Sequence, residues 1–217
     1  MSTIIVNKEP PNNKSNFIIQ ALNYYNKDFY KAMGKRLWDL SAAIPCFILL
    51  FPLFLIVAVL IKLDSRGPVF FIQQRVGKNG KPFGCYKFRT MVSGADKMGC
   101  TTEQGDSRIT LMGRILRPIS IDELPQIINI VKGDMSFIGP RPISVSEYQT
   151  VKTSGLFEED FIRDLEPKVN PGILGWAIFQ GREQISYDNR VKLNKEYEEK
   201  ISLTFDSYIS LLTLKKY

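Results

Sequence analysis

The longest apolar stretch of this chain is DLSAAIPCFILLFPLFLIVAVLIK, residues 39–62. No residue between Asp39 and Lys62 carries a charge, and the part from Ile44 to Ile61 is almost wholly apolar. About 20 such residues at 1.5 Å per residue reach roughly 30 Å, enough to cross the hydrocarbon core of a bilayer. The segment begins too far along the chain for a cleaved signal peptide. It predicts a membrane helix, with a buried helix of a soluble protein as the less favoured alternative.

Two prolines in this segment argue against a straight span. Pro52 lies near the middle, where it removes a backbone donor and forces a kink, and Pro45 is expected to interrupt the helix a second time. Cations flank the segment on both sides, at Lys31, Lys35, Arg36, Lys62 and Arg66. Because cytoplasmic flanks are enriched in Lys and Arg, this symmetry is best satisfied when both ends face the cytoplasm. We therefore predict a re-entrant helix that bends at Pro52 and returns to the same face.

The composition narrows the chemistry that the chain can carry out. With 217 residues, 44% of them hydrophobic, the chain is suited to one folded domain of ordinary size. The formal net charge of +7 favours anionic partners: phosphorylated substrates, phospholipid headgroups or nucleic acid. The sequence contains no His, which excludes imidazole as an acid, a base or a metal ligand. The three cysteines lack metal-ligand spacing, and they argue for a reducing compartment rather than a disulfide framework.

The chain divides into three predicted regions. Residues 1–20, polar around Pro10-Pro11, are expected to form a flexible tail. Residues 21–66 are expected to hold an interfacial helix, Tyr24 to Leu40, followed by the re-entrant membrane helix. Residues 67–217 are expected to form a mostly helical domain with a short β-hairpin. The fold class is therefore α+β.

The hairpin is the clearest feature of this domain. Two strand-like runs, Val69–Arg75 and Pro82–Met91, flank the turn signal Lys78-Asn79-Gly80. Arg75, Lys87 and Arg89 are expected to converge as a basic cluster, with solvated surface charge as the alternative. Helices are expected at Leu111–Leu116, Leu124–Lys132, Asn189–Lys200 and Ser202–Leu214. The last of these is amphipathic, which fits either a membrane surface or packing on the domain.

A pair of adjacent carboxylates, Asp122-Glu123, is the strongest candidate for a reactive site. Arg117 precedes it and Ser120 stands where a helix could begin. An anion at a helix start is stabilised in its ionised form, and could attack phosphorus or hold a divalent metal. The structural alternative is that Ser120 and Glu123 form a capping box, which serves helix stability alone.

The motifs in their order resemble those of the bacterial sugar transferases, the monotopic phosphoglycosyl transferase family. The resemblance covers about Lys35 to Leu214, and joint occurrence of the blocks is far more specific than any one block. The matching blocks are Lys35–Asp39, Gly67–Phe71, Gln73–Gly77, Lys87–Met91, Asp106–Thr110, Arg117–Gln126, Lys132–Ser136, Gly139–Pro142 and Pro171–Ala177.

The resemblance implies an enzyme, a transferase of substituted phosphate groups. Members move a sugar 1-phosphate from a UDP-sugar to polyprenyl (undecaprenyl) phosphate at the cytoplasmic membrane face, releasing UMP and starting a polysaccharide such as exopolysaccharide or capsule. By this match, residues 67–217 are the catalytic sugar transferase domain. Asp122 would be the nucleophile that forms a covalent phosphosugar intermediate, and Glu123 would assist at a Mg²⁺ site shared by both carboxylates.

The diphosphate of such a donor needs cations around it. Arg117 and Arg141, the latter framed by Pro140 and Pro142, are the preferred phosphate ligands, and Lys87, Arg89 and Arg108 are further candidates. Two departures from the family pattern stand outside the carboxylate pair. Phe51 precedes Pro52 where members often carry Ser, and Leu174 stands where they often carry Thr.

Two other classes of function compete with this one. A membrane-anchored basic module could bind nucleic acid or anionic lipid without catalysis, but the basic residues are scattered and no nucleic-acid signature is present. An inactive homologue could act as a scaffold, although the intact Asp122, Glu123, Arg117 and Arg141 argue against it. Nucleic acid is therefore not an expected partner, and the sequence indicates neither the sugar, the pathway nor the oligomeric state.

Overall fold

A computed structural model describes residues 29–95, 106–177 and 186–216 of the protein. The predicted tail, residues 1–20, lies outside this range, so its flexibility and the domain boundaries remain predictions. The described chain is mostly helical with four short strands, as the α+β class requires. Its elements are α1 Lys35–Asp64, β1 Phe70–Val76, β2 Pro82–Phe88, α2 Leu111–Leu116, α3 Gln126–Lys132, β3 Ser136–Ile138, α4 Val145–Thr153, α5 Glu159–Asp164, β4 Gly172–Leu174, α6 Tyr187–Lys200 and α7 Leu203–Lys216.

Helix α1 is the one helix in the described ranges that is long and apolar enough to cross a membrane. It runs for 30 residues and contains both Pro45 and Pro52. The expectation that Pro45 would interrupt the helix is therefore wrong. A proline removes one hydrogen bond of the ladder, and the surrounding bonds can carry the helix through that gap. Residues 44–53, which include both prolines, contain no buried residue, whereas Ala43 and Phe54 on either side are buried.

The residues before α1 are helical and continue directly into it. A π-helical turn, Tyr30–Gly34, joins α1 without a break. Lys35 and Asp39 are buried against the domain, whereas Met33 and Leu37 are exposed. The helix expected over Tyr24 to Leu40 is therefore continuous with α1 in its described part, and its position at a membrane surface stays a prediction.

The first buried contacts of α1 form a polar network with the C-terminal helix. Lys35 Nζ lies 2.6 Å from Asp206 Oδ2, and the Tyr30 hydroxyl donates to the same oxygen at 2.7 Å. The Tyr197 hydroxyl donates to the other carboxylate oxygen at 2.8 Å. The buried Asp206 carboxylate is thus compensated by one cation and two hydroxyls, as a charge removed from water requires. Helix α7 accordingly packs on the domain, the simpler of its two predicted roles.

The hairpin is confirmed. Strands β1 and β2 pair antiparallel, with Gln73 opposite Cys85, and a 3₁₀ turn Lys78–Gly80 connects them. Asn79 has φ 55° and Gly80 has φ 74°, conformations that an Asn-Gly pair adopts at low cost. The second strand ends at Phe88, earlier than the sequence indicates, so Arg89 lies beyond the regular pairing.

A second, parallel pair, β3 with β4, is absent from the sequence-based prediction. The two strands approach so closely that a Cβ on Gly172 would collide with the backbone nitrogen of Gly139. This pairing sets the path of the chain into Gly139-Pro140-Arg141. The main hydrophobic core lies between the hairpin, α3 and α1, with buried members that include Ala43, Val57, Ile61, Phe88, Leu116 and Ile130.

Candidate active site

The carboxylate pair lies on a short turn rather than at a capped helix. Asp122 and Glu123 belong to a 3₁₀ turn, Ile121–Glu123, and helix α3 begins only at Gln126, after Pro125. Ser120 has φ 56° and makes no capping bond with its side chain. The capping-box interpretation is therefore wrong. The Glu123 N–H is bonded instead to the backbone carbonyl of Ser120 at 3.1 Å.

Glu123 is held between two cations. Lys87 Nζ lies 2.7 Å from Glu123 Oε1, and Arg141 Nη2 lies 3.5 Å from the same oxygen. Burial works to raise the pKa of Glu123, but Lys87 and Arg141 outweigh that effect and lower the pKa to about 2. Glu123 is consequently ionised at any physiological pH. Glu123 Oε1 is therefore the meeting point of three segments that are far apart in the sequence. They are strand β2, the turn Ile121–Glu123 and the loop 139–142.

Asp122 has a different electrostatic environment from its neighbour. Burial raises the pKa of Asp122, and the negative charge of Glu123 raises it further, while Lys87 and Arg117 act in the opposite direction. Two adjacent carboxyls are thus divided into one that is firmly ionised and one that is more basic. A more basic carboxylate is the better nucleophile once it is ionised.

Arg117 acts on Asp122 together with Lys87. Its charge contributes to lowering the pKa of Asp122. Its Nε donates to Thr90 Oγ1 at 2.9 Å, which fixes the side chain at the exit of β2. The planar guanidinium has further N–H donors with which to bind an anion.

Arg75, Lys87 and Arg89 were expected to form one basic cluster, but Arg89 lies apart from the other two. Arg75 and Lys87 converge, because both contribute to lowering the pKa of Glu123. Arg75 also donates to the Pro142 carbonyl at 2.9 Å and so supports the loop that carries Arg141. Arg89 faces away from this group: its Nη2 donates to the Ser65 carbonyl at 2.6 Å and to Ser65 Oγ at 2.9 Å. The sequence analysis placed Arg75 in the basic cluster, but it did not predict that Arg75 would support this loop.

Arg108 is occupied by a local carboxylate. Its Nη2 lies 2.6 Å from Asp106 Oδ2 and its Nε lies 3.0 Å from Asp106 Oδ1, a two-pronged pair that lowers the pKa of Asp106 to about 2. Arg89 and Arg108 therefore both have protein partners, and their roles as phosphate ligands stay predictions. Residues 100–107 and 179–187 are the loops in which contacts with the sugar are expected from sequence, and most of both lies outside the described residues.

The carboxylate pair fits a magnesium ion that is shared with a substrate. Mg²⁺ is usually held by one or two carboxylates together with substrate phosphates, not by a cage of protein ligands. Both carboxylates lie beside cations that could also contact a bound phosphate: Lys87 and Arg141 at Glu123, and Arg117 near Asp122. No group of three or more His, Cys, Asp or Glu side chains suited to a metal occurs in the described ranges. The donor set thus consists of Asp122 and Glu123, and a ligand would have to supply the remainder.

Comparison with known proteins gives relatives along most of the chain. It is 41% identical over 193 residues to a UDP-N-acetylgalactosamine-undecaprenyl-phosphate N-acetylgalactosaminephosphotransferase of Aeromonas hydrophila, covering 85% of this chain and 43% of that protein. It is 43% identical over 184 residues to the uncharacterized sugar transferase EpsL of Bacillus subtilis, covering 84% of this chain and 86% of that protein. It is 34% identical over 198 residues to the exopolysaccharide production protein ExoY of Rhizobium meliloti, covering 84% of each.

These relatives differ in length, and the chain spans less than half of the Aeromonas protein. A family model described as bacterial sugar transferase matches residues 30–217, which include the turn Ile121–Glu123, the hairpin and helix α1. On this match and these identities, the chain belongs to the bacterial sugar transferase family.

Proposed function

We propose that this protein transfers a sugar 1-phosphate from a UDP-sugar to polyprenyl phosphate and releases UMP, as the first step of a polysaccharide or glycan. The proposal rests on one observation: Glu123 is held ionised by Lys87 and Arg141, while the pKa of the adjacent Asp122 is raised. Arg117 acts on Asp122 as well. The names of relatives support the substrate classes, since the Aeromonas protein is named for a UDP-sugar and undecaprenyl phosphate.

In the first displacement, the Asp122 carboxylate attacks the phosphorus that is bonded to the sugar. A bond forms between the Asp122 oxygen and this phosphorus, and the bond from the phosphorus to the bridging oxygen breaks. UMP leaves with that oxygen and its electron pair. The product on the protein is an aspartyl phosphosugar. An attack by one anion on another requires that charge on the diphosphate be offset, and Arg117 and Arg141 are the side chains best placed to do so.

In the second displacement, a phosphate oxygen of polyprenyl phosphate attacks the same phosphorus. The bond to Asp122 breaks, its carboxylate is regenerated, and the product is a polyprenyl diphosphosugar. Asp122 is thus the nucleophile in the first step and the leaving group in the second, and neither step needs a histidine base, which suits a chain without His.

Mg²⁺, when bound, would be held by Asp122 and Glu123 and would offset phosphate charge. Lys87 has a separate role here: it keeps Glu123 ionised and fixed, so that this carboxylate stays available as a ligand. Arg108 would contribute to phosphate binding only after exchanging part of its contact with Asp106. Arg89 uses Nη2 in its contacts with Ser65, whereas its Nε and Nη1 are buried without a hydrogen-bond partner.

We also propose that α1 is re-entrant and that the protein works at the cytoplasmic membrane face. Both ends of α1 contact the same domain: Asp39 Oδ1 accepts from Ser136 Oγ at 2.9 Å, and Asp64 Oδ2 accepts from the Met112 N–H at 3.0 Å. The proline-containing part between them has no buried residue, although Phe47, Leu50 and Leu53 are partly buried against the core. Single cysteines placed before and after α1, probed with an impermeant thiol reagent in sealed cells, test this. Labelling of either end from outside would refute it.

The catalytic proposal is tested with Asp122→Asn in lipid nanodiscs, with UDP-sugars, polyprenyl phosphate and Mg²⁺, reading UMP. The variant should release no UMP and trap no labelled sugar phosphate, and Glu123→Gln should be severely impaired. Asp160→Asn, an exposed carboxylate on α5, is the matched control and should behave as the unmodified protein. Normal turnover by Asp122→Asn would remove Asp122 from the nucleophile role. Binding of nucleic acid without any turnover would favour a binding module instead.

A further inference from the structure

The outer edge of strand β2 is closed by a side chain instead of a third strand. Asn129, on α3, is fully buried. Its Oδ1 accepts from the Tyr86 N–H at 2.9 Å, and its Nδ2 donates to the Gly84 carbonyl at 2.7 Å. A carboxamide carries one acceptor and two donors, so it can satisfy two backbone groups on a strand edge as a neighbouring strand would. These two contacts join β2 directly to α3.

Asn129 is itself held rigidly. Its backbone carbonyl accepts from the N–H groups of Gly133, Asp134 and Met135 at 3.0–3.2 Å, at the point where α3 ends. Its Nδ2 also approaches Asp134 Oδ2 at 3.3 Å. Lys132 Nζ lies 5.2 Å from the centre of the Tyr86 ring and adds a further contact between the end of α3 and β2. The Lys132–Ser136 block thus supports the amide that reaches the strand.

The two elements that Asn129 joins are the two that carry the central ion pair. Lys87 follows Tyr86 on β2, and Glu123 lies on the turn that leads into α3. Their side chains meet at 2.7 Å between Nζ and Oε1. A shift of β2 along or away from α3 would change this distance first, because the hairpin is otherwise only two strands wide.

We propose that Asn129 is a positioning residue that sets the separation of Lys87 and Glu123 by locking strand β2 to helix α3. Its effect on the structure is independent of the reaction. Its effect on turnover rests on the proposed function. Asn129 touches no reacting atom and acts through Lys87.

The structural part is tested by zero-length cross-linking with a water-soluble carbodiimide. This reagent joins an amine to a carboxylate as an amide and takes up the water that is lost, so its yield reports the Lys87–Glu123 contact. In Asn129→Ala, the cross-link between the peptides carrying Lys87 and Glu123 should fall several-fold. The Lys195–Asp164 pair, at 2.5 Å on the surface, is the internal reference and should be unchanged.

Asn170→Ala is the matched control variant, because Asn170 Nδ2 also donates to a backbone carbonyl, that of Gly133, at 2.9 Å, but does not touch β2. It should leave the Lys87–Glu123 cross-link at its original yield. If Asn129→Ala does not fold, Asn129→Ser, which retains a hydroxyl but cannot reach both strand groups, takes its place. An unchanged cross-link in a folded Asn129 variant would overturn the proposal.

The kinetic part uses a double-mutant cycle with Lys87→Met. Asn129→Ala should lower kcat for UMP release by roughly tenfold to a hundredfold with little change in KM for the donor, since misplacement of a group by about 1 Å has such effects. In the Lys87→Met background the further loss should be small, because the residue through which Asn129 acts is gone. Fully additive losses would show a general loosening and overturn the proposal. If the unmodified protein released no UMP, the proposed function would fail while the cross-linking result would still stand.

Discussion

The buried pair of Lys35 and Asp206 allows a stability prediction that is independent of function. Their side chains are 10% and 0% exposed, and Asp206 also accepts from the hydroxyls of Tyr30 and Tyr197. Lys35→Met removes the cation and leaves the buried carboxylate with two neutral donors only. The pair joins the first turn of the membrane helix to the C-terminal helix, so the substitution also tests whether α1 docks as the structure describes.

The expected loss follows from the burial. Breaking a buried ion pair by removing one partner costs about 3–5 kcal/mol, since an uncompensated charge stays in the interior. For a protein of this size about 1 kcal/mol corresponds to a change of roughly 2–4 °C in Tm. Lys35→Met should therefore lower Tm by about 6–20 °C. The double variant Lys35→Met/Asp206→Asn should recover most of this loss, because no buried charge remains and the amide oxygen still accepts from a tyrosine.

The assay is thermal unfolding in lipid nanodiscs, followed by circular dichroism. Lys200→Met provides the control: Lys200 lies 2.6 Å from Glu196, the same separation, but the two side chains are 58% and 34% exposed. An exposed pair contributes about 0.3–0.5 kcal/mol, so the control should shift Tm by no more than about 2 °C. Equal shifts for the two variants, or a double variant less stable than Lys35→Met, would refute the reasoning.

Three further predictions concern the site and its support. Turnover should fall on acidification, with a midpoint above the ordinary pKa of an Asp carboxyl, because burial raises the pKa of Asp122 and the protonated form cannot attack. A pH–rate profile measures the midpoint, and a midpoint below the ordinary pKa would contradict the prediction. Replacing Gly by Ala within a helix normally stabilises the protein, but Gly113→Ala should lower Tm, because the added Cβ would collide with the Thr90 carbonyl oxygen. A higher Tm would show that α2 can shift freely. In a Cys100→Ser background, native protein should react with an apolar maleimide at the exposed Cys46 and not at Cys85, whose burial raises its pKa; mass spectrometry of the labelled peptides decides this, and early labelling of Cys85 would show that the core opens.

The sequence predicted those features that are determined locally. The turn at Asn79-Gly80 needs positive φ at adjacent residues, and few residue pairs supply it. Helix α2 has the predicted bounds, Leu111 to Leu116, and Thr110 caps it by accepting from the Gly113 N–H at 3.1 Å. The end of α3 was predicted equally well, because Gly133, which has φ 93°, is a residue type that ends helices.

Features that depend on distant partners were not predictable in the same way. Ser120 is a good capping residue by type, but its left-handed backbone, φ 56°, turns the side chain away from that role. The two three-residue strands β3 and β4 are too short to leave a pattern in the sequence. The pairing of Glu123 with Lys87, 36 residues away, is a tertiary contact that no local spacing could indicate. The carboxylate pair could therefore be proposed from sequence, whereas the two different electrostatic environments of its members required the structure.

The flanking charges of the membrane segment show how a count of cations can mislead. Lys35 is paired with Asp206, and Arg36 donates to the carbonyls of Ile130 and Val131, where it caps the end of α3. Neither side chain is available to lipid headgroups in the way that the positive-inside tendency assumes. The proposed re-entrant arrangement rests instead on the contacts of α1 with the domain. Asp39, near the start of α1, accepts from the Phe137 N–H, and Asp64, at its end, accepts from the Met112 N–H. If the segment between them enters the bilayer, attachment of both ends to one domain is what a re-entrant helix requires and what a spanning helix would have to break.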